Sequence, residues 1–359
     1  MKKIAIFQED LSVGGIQKSL INLLNALDYT KYAVDLFLLR EENFYKAELP
    51  ERVNVIYCRG GGRLGRLAPY GLQRLFRRKA YREFGPYEIA IDFNSYQIGC
   101  ALGATCVRAK RCVSWIHNDV GIKYAQEWRY RVLWALFRGK FKYFDGFVAV
   151  SPGLAAPFRA LARVGDKPID VINNYIDTDE IFSRMQEKVD DLTVDPACFN
   201  LIAVGKLCHQ KAYDVMMQVI ADVVKVRPEV RLYILGDGPD RGALLRQRAQ
   251  MQLENCVFFL GKRANPFPYL SMMDAFLSTS RYEGQPLNIM EAKAVGLPIF
   301  MTKNLEKYCA GLTGCADIRA ALIHAQRQPK LPDTLSAYNQ EITRRLEALL
   351  DGAAQNETE

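Results

Sequence analysis

Short apolar runs rich in β-branched residues alternate with longer stretches of helical period along this chain, and the series starts twice. In the first half, residues 4–7, 34–39, 53–57, 89–93, 112–116 and 147–150 read as strands. After the first of them, Ile16, Leu20, Leu23, Leu24 and Leu27 recur at helical spacing. In the second half, residues 199–204, 231–235, 257–260, 275–278 and 298–301 read as strands, with helices over 214–225 and 240–251. Strands interleaved with helices make a parallel sheet covered on both faces. The expected class is therefore α/β with two Rossmann-like domains, over residues 1–178 and 179–333. The polar stretch 177–197, with Asp190, Asp191 and Pro196, is the expected junction. A last periodic helix over 334–350 opens a C-terminal segment, 334–359, and the pattern leaves open whether it crosses back to the first domain.

At 359 residues the chain has room for two domains of roughly 150 residues each. Nothing in it approaches the run of about 20 apolar residues that a membrane-spanning helix needs. The N-terminal Met1-Lys2-Lys3-Ile4-Ala5-Ile6-Phe7 starts like a signal peptide, but Gln8, Glu9 and Asp10 end the apolar run too early. The expectation is a first strand and a cytoplasmic protein. Nine cysteines, without a C-x-x-C pair, suit that compartment, and Cys100, Cys106 and Cys112 read as small buried hydrophobes. The three histidines, His117, His209 and His324, lie far apart in sequence, so no metal site is expected.

Open parallel sheets bind ligands beyond the carboxyl ends of their strands, and two such sheets facing each other make a cleft. Loops directly after strands therefore carry the candidates. Gly14 and Gly15 end the first loop ahead of a helix: either a plain turn or a backbone surface that admits an anion. Gly205-Lys206-Leu207-Cys208-His209-Gln210-Lys211 sets two lysines five apart, which are solvated or neutralise phosphate. Gly236-Asp237-Gly238-Pro239 is a turn that could also shape a nucleotide pocket. The fourth loop, from Arg281 to Gly296, has Pro286 suited to a first helical turn and Gly296 suited to a C-terminal cap. Its helix has an apolar stripe of Leu287, Met290 and Ala294, and Glu291 shares that face. A carboxylate there needs donors, either ribose hydroxyls or a buried cation. Glu283 stands just before the helix, beside main-chain N–H groups able to hold phosphate.

Glu283 and Glu291, with seven residues between, resemble the E-x7-E motif of retaining glycosyltransferases with the GT-B fold, and in particular glycosyltransferase family 4. Other segments fit in the same order: Gly14-Gly15, Trp115-Ile116-His117-Asn118-Asp119, Val148-Ala149-Val150-Ser151, Asn173-Asn174-Tyr175-Ile176-Asp177, the Gly205 and Gly236 loops, and Phe259-Leu260-Gly261 with Asn265-Pro266. The resemblance implies a GT-B fold, two Rossmann-like domains facing across a cleft, the first taking the acceptor and the second a nucleotide-sugar donor. It implies that Glu291 binds the ribose and Glu283 the donor sugar. The main chain of Gly284, Gln285, Pro286 and Leu287 would hold sugar hydroxyls and phosphate. Lys206 and Lys211 would hold the diphosphate, with Gly205 and Gly236 in the same donor site. Residues from Phe259 to Arg263 would hold the base, and Gly14 and Gly15 would line the pocket from the other domain. His117 would face the sugar near the reacting carbon, although a His after an apolar strand also reads as a structural residue. His117, Glu283 and Lys211 are the catalytic candidates. The family implies no metal cofactor, retention by front-side attack, and UDP as the default donor nucleotide. Lys206 stands where the family usually has Arg, and Ala212 where it usually has Gly. Residues 301–313 lack the usual acidic turn and glycine-rich loop.

The net charge of +8 allows an anionic membrane, nucleic acid or an anionic substrate as partner. Eight basic residues fall between Arg59 and Arg82 (Arg59, Arg63, Arg66, Arg74, Arg77, Arg78, Lys79 and Arg82), interleaved with Leu64, Leu67, Leu72, Leu75, Phe76 and Tyr81. A second stretch, 123–143, carries Trp128, Tyr130, Trp134, Phe137, Phe141 and Tyr143. Both read either as membrane-surface segments or as ordinary amphipathic helices on a sheet. The first reading suits a lipid-linked or lipopolysaccharide acceptor and peripheral attachment to the inner face of the membrane. A nucleotide-sugar 2-epimerase of the same architecture is the alternative enzyme. A non-catalytic basic binding protein is the other alternative, but no nucleic-acid motif supports it.

Overall fold

The computed structural model describes residues 1–58, 69–309 and 311–352. Residues 59–68 of the first basic segment and 353–359 of the C-terminal tail lie outside the described residues. The chain divides into two compact units, Met1–Tyr175 with Ala337–Glu359, and Ile176–Ser336. The polar stretch expected as a junction falls wholly in the second unit, where Asp177 caps the helix Thr178–Arg184 by accepting from the Glu180 N–H.

The first unit holds seven strands: β1 (Lys2–Gln8), β2 (Tyr32–Leu38), β3 (Asn54–Tyr57), β4 (Tyr87–Asp92), β5 (Ala109–Ile116), β6 (Gly146–Ala149) and β7 (Ile169–Val171). They form one parallel sheet in the order β3-β2-β1-β4-β5-β6-β7. Ile4, Ile6 and Phe7 of β1 are enclosed by neighbours on both sides, and Phe7 stacks on Phe37 of β2 at 4.4 Å between ring centroids. Each such side chain contributes about 1.5–3 kcal/mol by leaving water. Cys100, Cys106 and Cys112 are buried among these apolar groups, and burial raises all three thiol pKa values.

The second unit holds β8 (Phe199–Val204), β9 (Val230–Leu235), β10 (Val257–Gly261), β11 (Ala275–Ser278) and β12 (Ile299–Met301), parallel and ordered β10-β9-β8-β11-β12. Its core joins Leu201, Leu232, Ile234 and Leu277 of the sheet to Met216, Met217 and Ile220 of the helix Tyr213–Val223.

The last helix, Ser336–Asp351, packs on the first unit. Ile342, Leu346, Leu349 and Leu350 make its buried stripe at spacings of four, three and one. Lys31 pairs with Glu347 at 2.9 Å, Lys2 with Asp351 at 2.9 Å, and Tyr32 donates to Asp351 at 2.8 Å. The helix thus closes over the amino ends of β1 and β2.

Candidate active site

In each sheet the chain reverses its winding at one place, between β1 and β4 in the first and between β8 and β11 in the second. Loops leaving the strands there part in opposite directions and open a crevice. In the second unit these loops are residues 205–212 after β8 and 279–286 after β11, which carry most of the candidates.

The two loops are laced together. Thr279 Oγ1 donates to the Ala212 carbonyl at 3.0 Å, and the Arg281 N–H to the Gln210 carbonyl at 2.9 Å. The Arg281 guanidinium reaches both Asp214 carboxylate oxygens, at 3.0 and 2.6 Å, holding that carboxyl below its usual range. At the centre, Lys211 Nζ meets Glu283 Oε1 at 2.6 Å and Gln210 Nε2 donates to Glu283 Oε2 at 3.1 Å. The Glu283 side chain is 7% exposed and that of Lys211 18%. A carboxylate at this depth needs such donors on both oxygens. Lys206, by contrast, stands exposed on the rim.

Glycines let the neighbouring loops close on this pair. Gly205 has φ +154°, its N–H donates to the Leu235 carbonyl at 2.9 Å, and buried Tyr213 donates to its carbonyl at 3.2 Å. Gly236 crosses it so closely that a Cβ would stand 1.9 Å from the Gly205 oxygen. Ala212 occupies the left-handed region at φ 53°, ψ 41°, the conformation for which glycine is suited. A non-glycine residue there costs roughly 1–2 kcal/mol, offset on mutation by about 0.5–1 kcal/mol of unfolded-state entropy. Ala212→Gly is expected to raise stability by about 0.5 kcal/mol, read from urea unfolding; a loss of more than that would show that the buried methyl outweighs the strain.

Pro286 caps the helix Leu287–Ala294, and Gly296 ends it at φ +89°, where a Cβ would strike the Leu331 main chain. Gly284 and Gln285 are buried just ahead of the helix. Glu291 corrects the expected stripe. The buried residues of this helix are Ile289, Met290, Ala292 and Ala294, whereas Leu287, Asn288 and Glu291 are half-buried along one edge. Asn288 donates to the Val204 carbonyl at 2.6 Å, which turns that edge toward the carboxyl end of β8. Glu291 therefore lies along the crevice rather than in the core. Arg263 is held by Asp191 at 2.6 Å and by the Tyr269 hydroxyl at 3.0 Å, beside Gly261, whose carbonyl accepts from the Gly236 N–H.

Gly14 and Gly15 end the loop after β1 in the first unit. Asp10 shapes that loop by accepting from the Ser12 N–H, the Ser12 hydroxyl and Gln17. Burial raises its pKa, but these bonds outweigh burial and keep it below the usual range. His117 follows β5 with its ring 4.6 Å from that of Phe93. Its Nε2 is enclosed without a partner, and burial pulls its pKa down to about 3, so the imidazole is neutral at physiological pH.

Gln210, Asn288, Arg281 and Asp10 were not singled out by sequence. Gln210 adjoins Lys211 and Asn288 sits within the E-x7-E span, so position was the available signal. In the second basic-aromatic segment Tyr130, Trp134 and Phe141 are buried, while Trp128, Val132, Leu133 and Leu136 are exposed. Among the described residues no group of three or more His, Cys, Asp or Glu could hold a metal ion. No helix among them is long and apolar enough to cross a membrane.

Residues 13–180 match the family model described as Glycosyltransferase Family 4, and residues 198–325 match that described as Glycosyl transferases group 1. The lipopolysaccharide core biosynthesis glycosyltransferase LpsE of Rhizobium meliloti is 26% identical over 168 residues, 46% of this chain and 46% of LpsE. The putative glycosyltransferase EpsF of Bacillus subtilis is 23% identical over 329 residues, 87% of this chain and 82% of EpsF. The chain spans about half the length of several of the curated relatives it matches. Among solved structures, Anabaena HepE in complex with UDP and glucose superposes with a TM-score of 0.70 at 19% identity, covering 98% of this chain and 100% of HepE. WaaG, a glycosyltransferase involved in lipopolysaccharide biosynthesis, gives 0.61 at 13% identity, covering 98% and 95%. These likenesses show the fold, two parallel-sheet Rossmann-like domains of the GT-B type. Each half of the chain is thus similar to a glycosyltransferase family model, the first of them that of family 4.

Proposed function

We propose that this protein is a retaining transferase that moves a sugar from a UDP-sugar to a glycan or lipid-linked acceptor in cell-surface polysaccharide or lipopolysaccharide synthesis. The observation that carries the reading is the buried Glu283, gripped by Lys211 and Gln210 where the second sheet reverses its winding. In that reading Lys211, with Lys206 on the rim, neutralises the diphosphate. Main-chain N–H groups ahead of the helix Leu287–Ala294 add to this, and Glu291 takes the ribose. Fixed positive groups aimed at the leaving diphosphate do what a metal would otherwise do, so the reaction needs none. In the first unit, no atom beyond its chain neighbours and its own helix backbone lies within 4 Å of where a Cβ on Gly15 would stand. The glycine is thus not demanded by the chain's own packing, which fits a surface kept clear for a ligand. HepE was crystallised with UDP and glucose and LpsE is named for lipopolysaccharide core synthesis, and both agree with the reading.

A panel of nucleotide sugars, scored by calorimetric binding and by slow hydrolysis, tests it. One UDP-sugar is expected to bind and to be cleaved equally well in EDTA. Glu291→Ala is expected to weaken that binding by about 2 kcal/mol, the loss of a charge-assisted pair of hydrogen bonds. If no donor binds, or binding ignores Glu291→Ala, the donor site is not where we place it.

The reading includes docking on an anionic membrane. The helix Tyr70–Tyr81 exposes Leu72, Leu75 and Phe76 among Arg74, Arg77, Arg78 and Lys79. The helix Trp128–Phe137 exposes Trp128, Val132, Leu133 and Leu136. The turn 138–143 joins them, with Arg74 4.9 Å from the Tyr143 ring and Tyr70 5.4 Å from it. Apolar side chains ringed by cations suit a bilayer of anionic headgroups. The protein is expected to float with phosphatidylglycerol vesicles and not with phosphatidylcholine, and Leu75→Glu with Phe76→Glu is expected to cut that binding by about tenfold or more. Equal flotation with both lipids would remove the anionic surface from the reading.

A further inference from the structure

The chain leaving β12 folds back on itself and is fastened to the loop that carries Glu283. A short 3-10 helix, Lys303–Tyr308, buries Leu305 and Tyr308, and Cys309 follows them inside. Glu306 closes this turn by accepting from the Gly314 N–H at 2.9 Å, and the Cys315 N–H donates to the Met301 carbonyl at 2.7 Å. Gly314 passes so near that a Cβ would stand 2.7 Å from Lys303 Cα. Apolar burial and bonded main chain make the turn a firm part of the unit, unlike a loop whose backbone is solvated.

Asn304 reaches out of that turn. It lies at the surface, yet its Nδ2 donates to the Ser280 carbonyl at 2.9 Å and to the Arg281 carbonyl at 3.1 Å. Both partners are acceptors, so the amide nitrogen with its two hydrogens must face them. Just before, the Thr302 N–H donates to the Ser278 carbonyl at 3.2 Å, so Asn304 continues by side chain the pairing of β11 with β12. The opposite edge of the same stretch is tied to the loop after β8. Thr279 donates to Ala212, the Arg281 N–H to Gln210, and the Arg281 guanidinium to His209 and Asp214. Glu283 is gripped from that edge too, by Lys211 and Gln210. β11 lies between β8 and β12 in the sheet. Asn304 therefore holds the main chain just ahead of Glu283 from the side opposite to the lysine.

We propose that Asn304 is a positioning residue that fixes the 280–281 main chain, and with it the placement of the Glu283 carboxylate against the donor sugar. The proposal rests on the reading above, with Glu283 at the sugar. Glu291, which takes the ribose in that reading, stands on the helix beyond Pro286, and Asn288 of that helix is anchored on the Val204 carbonyl. Loss of Asn304 thus reaches the sugar end of the site and spares the nucleotide end. A displacement of about 1 Å at a group facing a reacting centre is enough to cost roughly a hundredfold in rate.

Two variants of the full chain test it. Asn304→Asp keeps the size of the side chain and cannot donate, and Asn304→Ala removes the amide. The position is exposed, so both are expected to melt close to the wild type. Hydrogen exchange read by mass spectrometry without any ligand is expected to be about tenfold faster over residues 279–283 in both, with β8 unchanged. Slow hydrolysis of the donor is expected to fall in kcat by about tenfold to a hundredfold, with the affinity for UDP nearly unchanged. A purely structural Asn304 would lower the melting temperature and leave kcat intact below it. Unchanged exchange over 279–283, an unchanged kcat, or UDP affinity falling in step with kcat each overturns the proposal. A wild type that hydrolyses no nucleotide sugar counts against sugar transfer, and the exchange result then decides on Asn304 by itself.

Discussion

Lys211→Met is expected to lower stability by about 3 kcal/mol and to abolish donor turnover, because it strands Glu283 without its cation. The Glu283 side chain is 7% exposed, and after the change Gln210 would be the remaining side-chain donor described at its carboxylate. Breaking a buried pair from one side costs far more than removing both members, since what is lost is chiefly the compensation of the charge left behind. Lys211→Met combined with Glu283→Gln is therefore expected to recover most of the stability while turnover stays absent. Urea unfolding separates the two effects from hydrolysis of the donor. The double variant is the decisive one: full stability with no activity assigns the pair to the reaction, whereas restored activity would make it a structural tie between the loops. If Lys211→Met alone keeps wild-type stability, the carboxylate is satisfied by its other neighbours and the pair does not organise the crevice.

The pairing itself could not be read from residue spacing. Lys211 and Glu283 lie 72 positions apart, and only the order of strands, with β11 beside β8, brings their loops together. The strands were legible because apolar β-branched runs signal buried parallel sheet: 199–204 and 275–278 match β8 and β11 to the residue. β7 was missed because Ile169–Val171 is three half-buried residues with Asp170 at its centre, and so shows no apolar run. The face of Glu291 was misread for a related reason. The helix Leu287–Ala294 has eight residues and is covered on more than one side, so its apolar positions do not define a single stripe. Residue type misled again in the basic-aromatic stretch. Tyr130, Trp134 and Phe141 turn inward, with Trp134 and Phe141 meeting Phe158, and aliphatic Val132, Leu133 and Leu136 take the outside. Ala212, standing where the family usually has glycine, proves to occupy the conformation that glycine favours.

Gly236→Ala is expected to be the most damaging single methyl in the second unit, at about 3 kcal/mol or more, with UDP affinity falling alongside. The cost has two sources. The residue sits at φ +149°, outside the range open to L side chains, and its new Cβ would stand 1.9 Å from the Gly205 oxygen and 2.9 Å from the Gly205 carbonyl carbon. Neither neighbour can retreat easily. The Gly205 N–H is bonded to Leu235, the Gly236 N–H to Gly261, and Leu207 both donates to Asp237 and accepts from Asp240. Relief would have to part the loops after β8, β9 and β10, and the first of these carries Lys211. Gly242→Ala is the matched control. It lies in the helix Arg241–Gln250 with nothing nearer than 3.7 Å to an added Cβ, and is expected to stabilise by about 0.5–1 kcal/mol. Melting curves and UDP titrations of the two variants together distinguish loop crossing from a general intolerance of added methyls. A Gly236→Ala protein that melts with the wild type and binds UDP as well would mean that the loops are not closed on one another, and that the floor of the crevice is built some other way.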